Sequence, residues 1–114
     1  MLIERFSKQP AENRRYVVDY SKWLASGETI KAVTAAVTEF VPADEQALRD
    51  ADPTRETNKK VLVTGLAAIV PAKTAVAFFA GRGVDGVIAT ITLTVTTTDL
   101  QVKEDEVELS IDEV

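Results

Sequence analysis

From Val87 to Thr98 the chain alternates at period two, with Val87, Ala89, Ile91, Leu93 and Val95 on one side and Thr90, Thr92, Thr94 and Thr96 on the other. Successive side chains of a strand point to opposite faces, so this run predicts a strand with one buried and one solvated side. Val33, Ala35 and Val37 set against Ala32, Thr34 and Thr38 predict a second long strand over Glu28–Phe40. Val107, Leu109 and Ile111 set against Glu106, Glu108, Ser110 and Asp112 predict a last strand from Glu106 to Glu113. Arg15–Tyr20 and Thr74–Ala80 are short runs of β-forming residues. Lys60–Val70 offers one strand or two, interrupted at Gly65, and Pro71 and Lys73 mark a turn. Gly81–Gly86 reads as a hairpin turn whose glycines permit positive φ.

Helical signals are few. Ser21–Ser26 is too short for a helix and ends at Gly27, which predicts a single helical turn and a bend. Pro42 stops the long strand. Ala43–Ala51 then has helical propensity, with Glu45 and Arg49 four residues apart, until Pro53 ends it. Residues 1–13 mix apolar and charged side chains without a period, include Pro10, and read as an extended N-terminal arm. Six or seven strands in 114 residues predict an all-β chain with one short helical segment. The expected architecture is an immunoglobulin-like β-sandwich spanning 14–114 as one domain behind the arm.

Composition narrows the chemistry. A chain of this length buries about two-thirds of its unfolded surface, enough for a core without staples. Cysteine and histidine are both absent. That removes thiol nucleophiles, disulfides, the usual zinc ligands and the imidazole acid–base group together. The net charge of −5 opposes binding to a phosphate backbone, so no nucleic-acid partner is expected. The opening Met1-Leu2-Ile3-Glu4-Arg5-Phe6 lacks a charged-then-apolar signal pattern, and no run approaches about eighteen apolar residues. The expectation is synthesis in a cytoplasm, with no membrane partner.

Each motif with a chemical reading also has a plainer one. Gly81-Arg82-Gly83-Val84-Asp85-Gly86 spells G-x-G-x-x-G, but a dinucleotide site needs a helix after the glycines and here Val87 opens a strand. The threonine row could serve as a flat binding surface; β-branched hydroxyl residues also commonly fill a solvated strand face. Glu104, Asp105, Glu106 and Glu108, with Asp112 and Glu113, lack calcium-loop spacing and read as the wet side of a terminal strand. No G-x-S-x-G is present and no carboxylate pair stands in a context that would raise its pKa. The chain is therefore expected to have no catalytic, cofactor-binding or metal-binding residues. Tyr16, Tyr20 and Trp23 cluster within eight residues. They could form an interface hot spot, while Trp23, the sole tryptophan, is expected to plug one end of the sandwich and be largely buried.

Two stretches carry a resemblance. Arg15-Tyr16-Val17-Val18-Asp19-Tyr20-Ser21-Lys22-Trp23-Leu24-Ala25-Ser26-Gly27-Glu28-Thr29-Ile30 resembles the opening of small tailed-phage proteins known as fibre–tail adaptors. There, a strand with an aromatic–aliphatic–Asp–aromatic–Ser pattern leads into Trp-Leu, a glycine and Glu-Thr-Ile. From Thr74 onward a strand, a glycine-rich turn, a long strand ending in Thr96, Thr97 and Thr98, and a last alternating strand look like the closing half of the same family. The resemblance implies an immunoglobulin-like structural protein of the virion tail or neck, present in several copies and bound to other tail, neck or fibre proteins. It implies a structural role for Tyr16, Asp19, Tyr20, Trp23, Leu24, Gly27, Gly81, Gly83 and Gly86. An alternative of another class is a surface- or carbohydrate-binding module or a capsid decoration protein. Leu2, Ile3 and Phe6, with Arg14 and Arg15, are the candidate interface residues. The three apolar ones either fold back on their own domain or lie against a neighbour.

Overall fold

Alternation becomes pairing in two sheets. In chain order the elements are β1 Leu2–Lys8, β2 Arg14–Asp19, β3 Ile30–Phe40, α1 Ala43–Ala51, α2 Thr54–Lys59, β4 Leu62–Ala68, β5 Ala75–Gly81, β6 Ile88–Thr97 and β7 Val102–Ile111. One sheet has the order β1-β7-β6-β3 and the other β2-β5-β4. The computed structural model describes residues 2–68 and 73–113, so the turn expected at Pro71 lies outside the described residues. Among the described residues, seven strands in two sheets make the expected all-β sandwich.

The core lies between the sheets. Ala89, Ile91, Leu93 and Val95 of β6 and Val107, Leu109 and Ile111 of β7 meet Val76, Phe78 and Ala80 of β5 and Tyr16 and Val18 of β2. Ile91, Leu93, Val76 and Phe78 are fully buried, each contributing about 1.5–3 kcal/mol. On the opposite face of β6, Thr90, Thr92, Thr94 and Thr96 pair in register with Thr38, Ala36, Thr34 and Ala32 of β3. The inward rows of β3, β6 and the end of β7 are those the alternation predicts.

Three expectations are corrected. The N-terminal segment is extended, but over Leu2–Lys8 it is an edge strand rather than an arm, parallel to β7 with Phe6 beside Leu109 and Lys8 beside Ile111. An irregularity between Leu2 and Glu4 shifts the phase, so that Ile3 and Phe6 both pack against the core. That shift erases the period-two signal from the sequence. Gly81–Gly86 is not a hairpin, because β5 and β6 belong to different sheets and this segment crosses between them. Its Gly83, at φ +101°, sits where a Cβ would meet Ile111 at 3.0 Å and Val61 at 3.1 Å. Finally, there are two short helices. Pro53 ends α1 but also opens α2, where a fixed φ and a missing N–H cost nothing. Asp52 accepts the Thr54 backbone N–H at 3.1 Å and its hydroxyl at 2.7 Å, which fixes the bend.

Because β1 belongs to the sheet, deleting residues 1–8 should bare the β7 edge and uncover Tyr16. The expected loss is at least about 3 kcal/mol, or a fall in Tm of roughly 10 °C or more by thermal denaturation. A shortened chain that melts within about 2 °C of the full one would restore the free-arm picture.

Candidate functional site

At one end of the sandwich the β2–β3 connection is fastened by polar groups. Asp19 accepts the Ser21 N–H at 2.8 Å, which holds its carboxyl below the usual range. The Tyr20 carbonyl accepts from the N–H groups of Trp23 at 3.0 Å and Leu24 at 3.1 Å, making the single helical turn. Buried Glu28 accepts the Thr97 hydroxyl at 2.8 Å and the Ala25 N–H at 3.1 Å. These bonds, the Thr97 hydroxyl foremost, keep its carboxyl below the usual range. Glu28 thereby joins the β2–β3 turn to the end of β6. Asp19, Tyr20 and Glu28 thus hold the turn through these hydrogen bonds.

Beside this turn lies a groove of about 360 Å³ between the facing edges of β1 and β2. Ile3, Val17, Val18 and Trp23 supply its apolar walls, and Tyr20 and Asp105 lie at its base. Trp23 is only partly buried, against the expectation that it plugs the sandwich. Its ring meets Tyr20 edge-on at 6.2 Å between centroids, and the Lys103 ammonium lies 5.5 Å from its centre. Asp105 is also a correction. Expected on the wet side, it is 1% exposed, because it continues the inward row of Val107, Leu109 and Ile111. Burial, and then the Asp105 charge, push the Tyr20 phenol well above its ordinary range.

The outer face of the three-stranded sheet is apolar. Val17 on β2 is 42% exposed, Phe79 on β5 38% and Leu62 on β4 43%. Val17 pairs with Ala77, which in turn pairs with Ala67, while Phe79 lies between Arg15 and Thr64. The larger sheet presents outward threonines beside Glu104, Glu106 and Glu108, of which Glu108 pairs with Arg5 at 3.5 Å.

At the opposite end of the sandwich, α1 and α2 bury no apolar side chain; the buried residues of α1 are Glu45 and Arg49, and α2 has none. Charge fastens them. Arg49 reaches Glu39 of β3 at 3.3 Å and Glu45 at 3.1 Å, and Arg55 of α2 holds Glu45 at 2.7 Å. Those contacts, Arg55 first, depress the Glu45 carboxyl. Behind the pair, Arg82 donates to the Thr57 carbonyl at 3.0 Å, and the Gly83 N–H donates to that of Lys59 at 3.0 Å.

The proposed interface residues do not share one exposed face. Ile3 and Phe6 pack on their own core, with the Phe6 ring 4.5 Å from that of Tyr16, whose hydroxyl donates to the Ser7 carbonyl at 3.0 Å. The Leu2 side chain lies outside the described residues. Arg14 and Arg15 are exposed, Arg14 lying 6.0 Å from the centre of the Tyr16 ring. Leu24 is partly buried, and Gly27 and Gly86 adopt positive φ in their turns. Sequence reasoning missed Glu28, Glu39, Arg55, Asp105 and the apolar patch. Phase along β7 carried a signal for Asp105, and i,i+4 spacing marked Glu45 with Arg49. Glu28 stood within the Glu-Thr-Ile of the opening stretch, and no local signal announced Glu39.

Among known proteins, the model of the family described as podophage GP4 fiber-tail adaptor protein gp77 matches residues 8–110. No curated protein matches the chain.

The helix anchor should respond to acid. A carboxyl whose folded pKa is depressed contributes stability above its unfolded value, about 4.3, which is lost as pH falls through the folded one. Hydrogen-exchange protection factors in α1 and α2 should therefore fall below about pH 4.3 before those of the central strands, and Glu45→Gln should flatten that dependence. Arg49→Ala, which leaves Glu39 buried and unpaired, should cost about 3 kcal/mol by denaturant unfolding. A loss under about 1 kcal/mol would show that the ion network does not fasten the helices.

Proposed function

Because this chain belongs to the podophage fibre–tail adaptor family, it is a structural adaptor of the virion tail, and we propose that it does this work as several copies held by its sheet faces. The family match over residues 8–110 carries the adaptor role and its contacts with tail and fibre proteins. The outer face formed by Val17, Leu62 and Phe79 supports the more specific reading. Three large apolar side chains, each more than a third exposed on neighbouring strands, leave an area that a partner surface would desolvate. Arg15 beside Phe79 supplies a charged rim of the kind that surrounds interface centres. In this reading Arg14 and Arg15 contribute to contacts. Ile3 and Phe6, packed inward, support the sheet from behind, and the remaining motif residues shape the turns.

The reading is non-enzymatic, in keeping with a structural family, and uses neither a cofactor nor nucleic acid. The surface- or carbohydrate-binding alternative draws no support from the family. Trp23, the aromatic that would best serve a sugar, lies in a groove beside Lys103 rather than on a flat sheet face.

Val17→Asp combined with Phe79→Asp tests the surface. Both side chains point away from the core, so the variant should keep its circular dichroism and melt within about 4 °C of the parent. Virions assembled with it should carry markedly fewer copies of the adaptor or lack fibres. A folded variant incorporated at normal copy number would remove this face from the assembly.

A further inference from the structure

The groove between β1 and β2 contains two polar groups whose bonding is incomplete. Tyr20 is 3% exposed and Asp105 1% exposed; the Tyr20 phenol is turned toward the Asp105 carboxylate, yet among the described residues neither Tyr20 Oη nor Asp105 Oδ2 has a partner within hydrogen-bond distance. Lys103 Nζ approaches Asp105 Oδ2 only to 3.7 Å, beyond hydrogen-bond range, and stays partly exposed. A buried acceptor left unpaired is unfavourable, so a ligand that supplied the missing donor would be held there.

Position and charge say what that ligand is. Among the described residues β1 pairs only with β7 and β2 only with β5, so each strand has a free edge on this side of the sandwich. Toward Ser7 the gap is closed by the Phe6–Tyr16 stack and the Tyr16 hydroxyl. Toward Trp23 it is open, and there Glu4, Asp19 and Asp105 are set against Lys22 and Lys103, three negative charges to two positive. One further positive charge balances the site. The indole face of Trp23 already attracts a cation, Lys103, and a planar guanidinium stacks on such a face better than an ammonium.

We propose that this groove receives an arginine side chain carried by an extended segment of a partner tail protein. The guanidinium stacks on Trp23, donates to Asp105 Oδ2 and offers a second N–H to Tyr20 Oη, while Lys103, on its long stem, swings toward solvent. The segment's backbone pairs with the free edge of β2, so its residues flanking the arginine are β-formers. The inference rests on the adaptor reading, since it names the chemistry of one partner contact.

The unmodified full chain is titrated with the capped pentapeptide acetyl-Thr-Val-Arg-Val-Thr-amide, following Trp23 emission and backbone amide shifts. Saturable binding with Kd of about 1 mM or tighter is expected, with shifts at Val17, Lys22, Trp23 and Asp105. Replacing arginine by norleucine in the peptide should weaken binding about tenfold, and Asp105→Asn should weaken the arginine peptide by a similar factor. The norleucine peptide should then bind parent and variant alike, closing a double-mutant cycle. No saturable change, or equal affinity for the two peptides, overturns the proposal, as does unchanged arginine-peptide binding by a folded Asp105→Asn. If that variant does not fold, the comparison of the two peptides on the parent chain decides. Should the peptides fail while the chain still enters virions, the pocket falls and the adaptor reading stands. A chain absent from virions sinks the adaptor reading whatever the peptides do.

Discussion

The inward row of β6 is the constraint from which the other elements take their positions. Ala89, Ile91, Leu93, Val95 and Thr97 are all fully buried, and β6 lies between β7 and β3 in the larger sheet. A strand has a side-chain period of two, so a slip of one residue would put this whole row into water and the threonines into the core. That penalty fixes the register of β3 and β7 against β6. The opposing Val76 and Phe78 fix in turn where the smaller sheet lies. Gly83, where even a Cβ would crowd Val61 and Ile111, shows how closely the crossover is drawn onto that core.

Away from this centre, polar groups hold the two ends. Glu28 and Thr97 lock one end, and the Glu39–Arg49–Glu45–Arg55 network fastens the helices at the other. Buried ion pairs of this kind add little net stability compared with an apolar substitute, but they are costly to break singly. They specify one arrangement of segments that have no apolar side chain to bury. Both ends are therefore held by contacts that acid weakens, while the central strands are held by apolar contacts that acid leaves alone.

For an adaptor of the phage tail this division of labour suits the task. The sandwich supplies rigid faces, one apolar and one lined by threonines and glutamates, and a side groove with an aromatic wall. Several distinct surfaces on one small body let a single chain face different neighbours, because each face recognises its own chemistry.

Much of the fold could be read in the sequence because alternation is local. The inward rows of β3, β6 and the end of β7, the helix at Ala43–Ala51, the single turn after Tyr20 and the resemblance to fibre–tail adaptors all rest on neighbouring residues. What needed the tertiary structure involves residues far apart in the chain. The phase shift after Leu2 hid a strand whose partner is β7, nearly a whole chain length away. Gly81–Gly86 carries the same glycines whether it folds a hairpin or crosses between sheets, and only the competition of β2, β4, β3 and β7 for strand edges decided which. Trp23 was placed in the groove beside Tyr20 and Lys103, and Glu28 against Thr97, sixty-nine residues on. Local chemistry determined which elements form and which faces are apolar; long-range packing decided which of those faces stay exposed, because exposure depends on what the rest of the chain leaves uncovered.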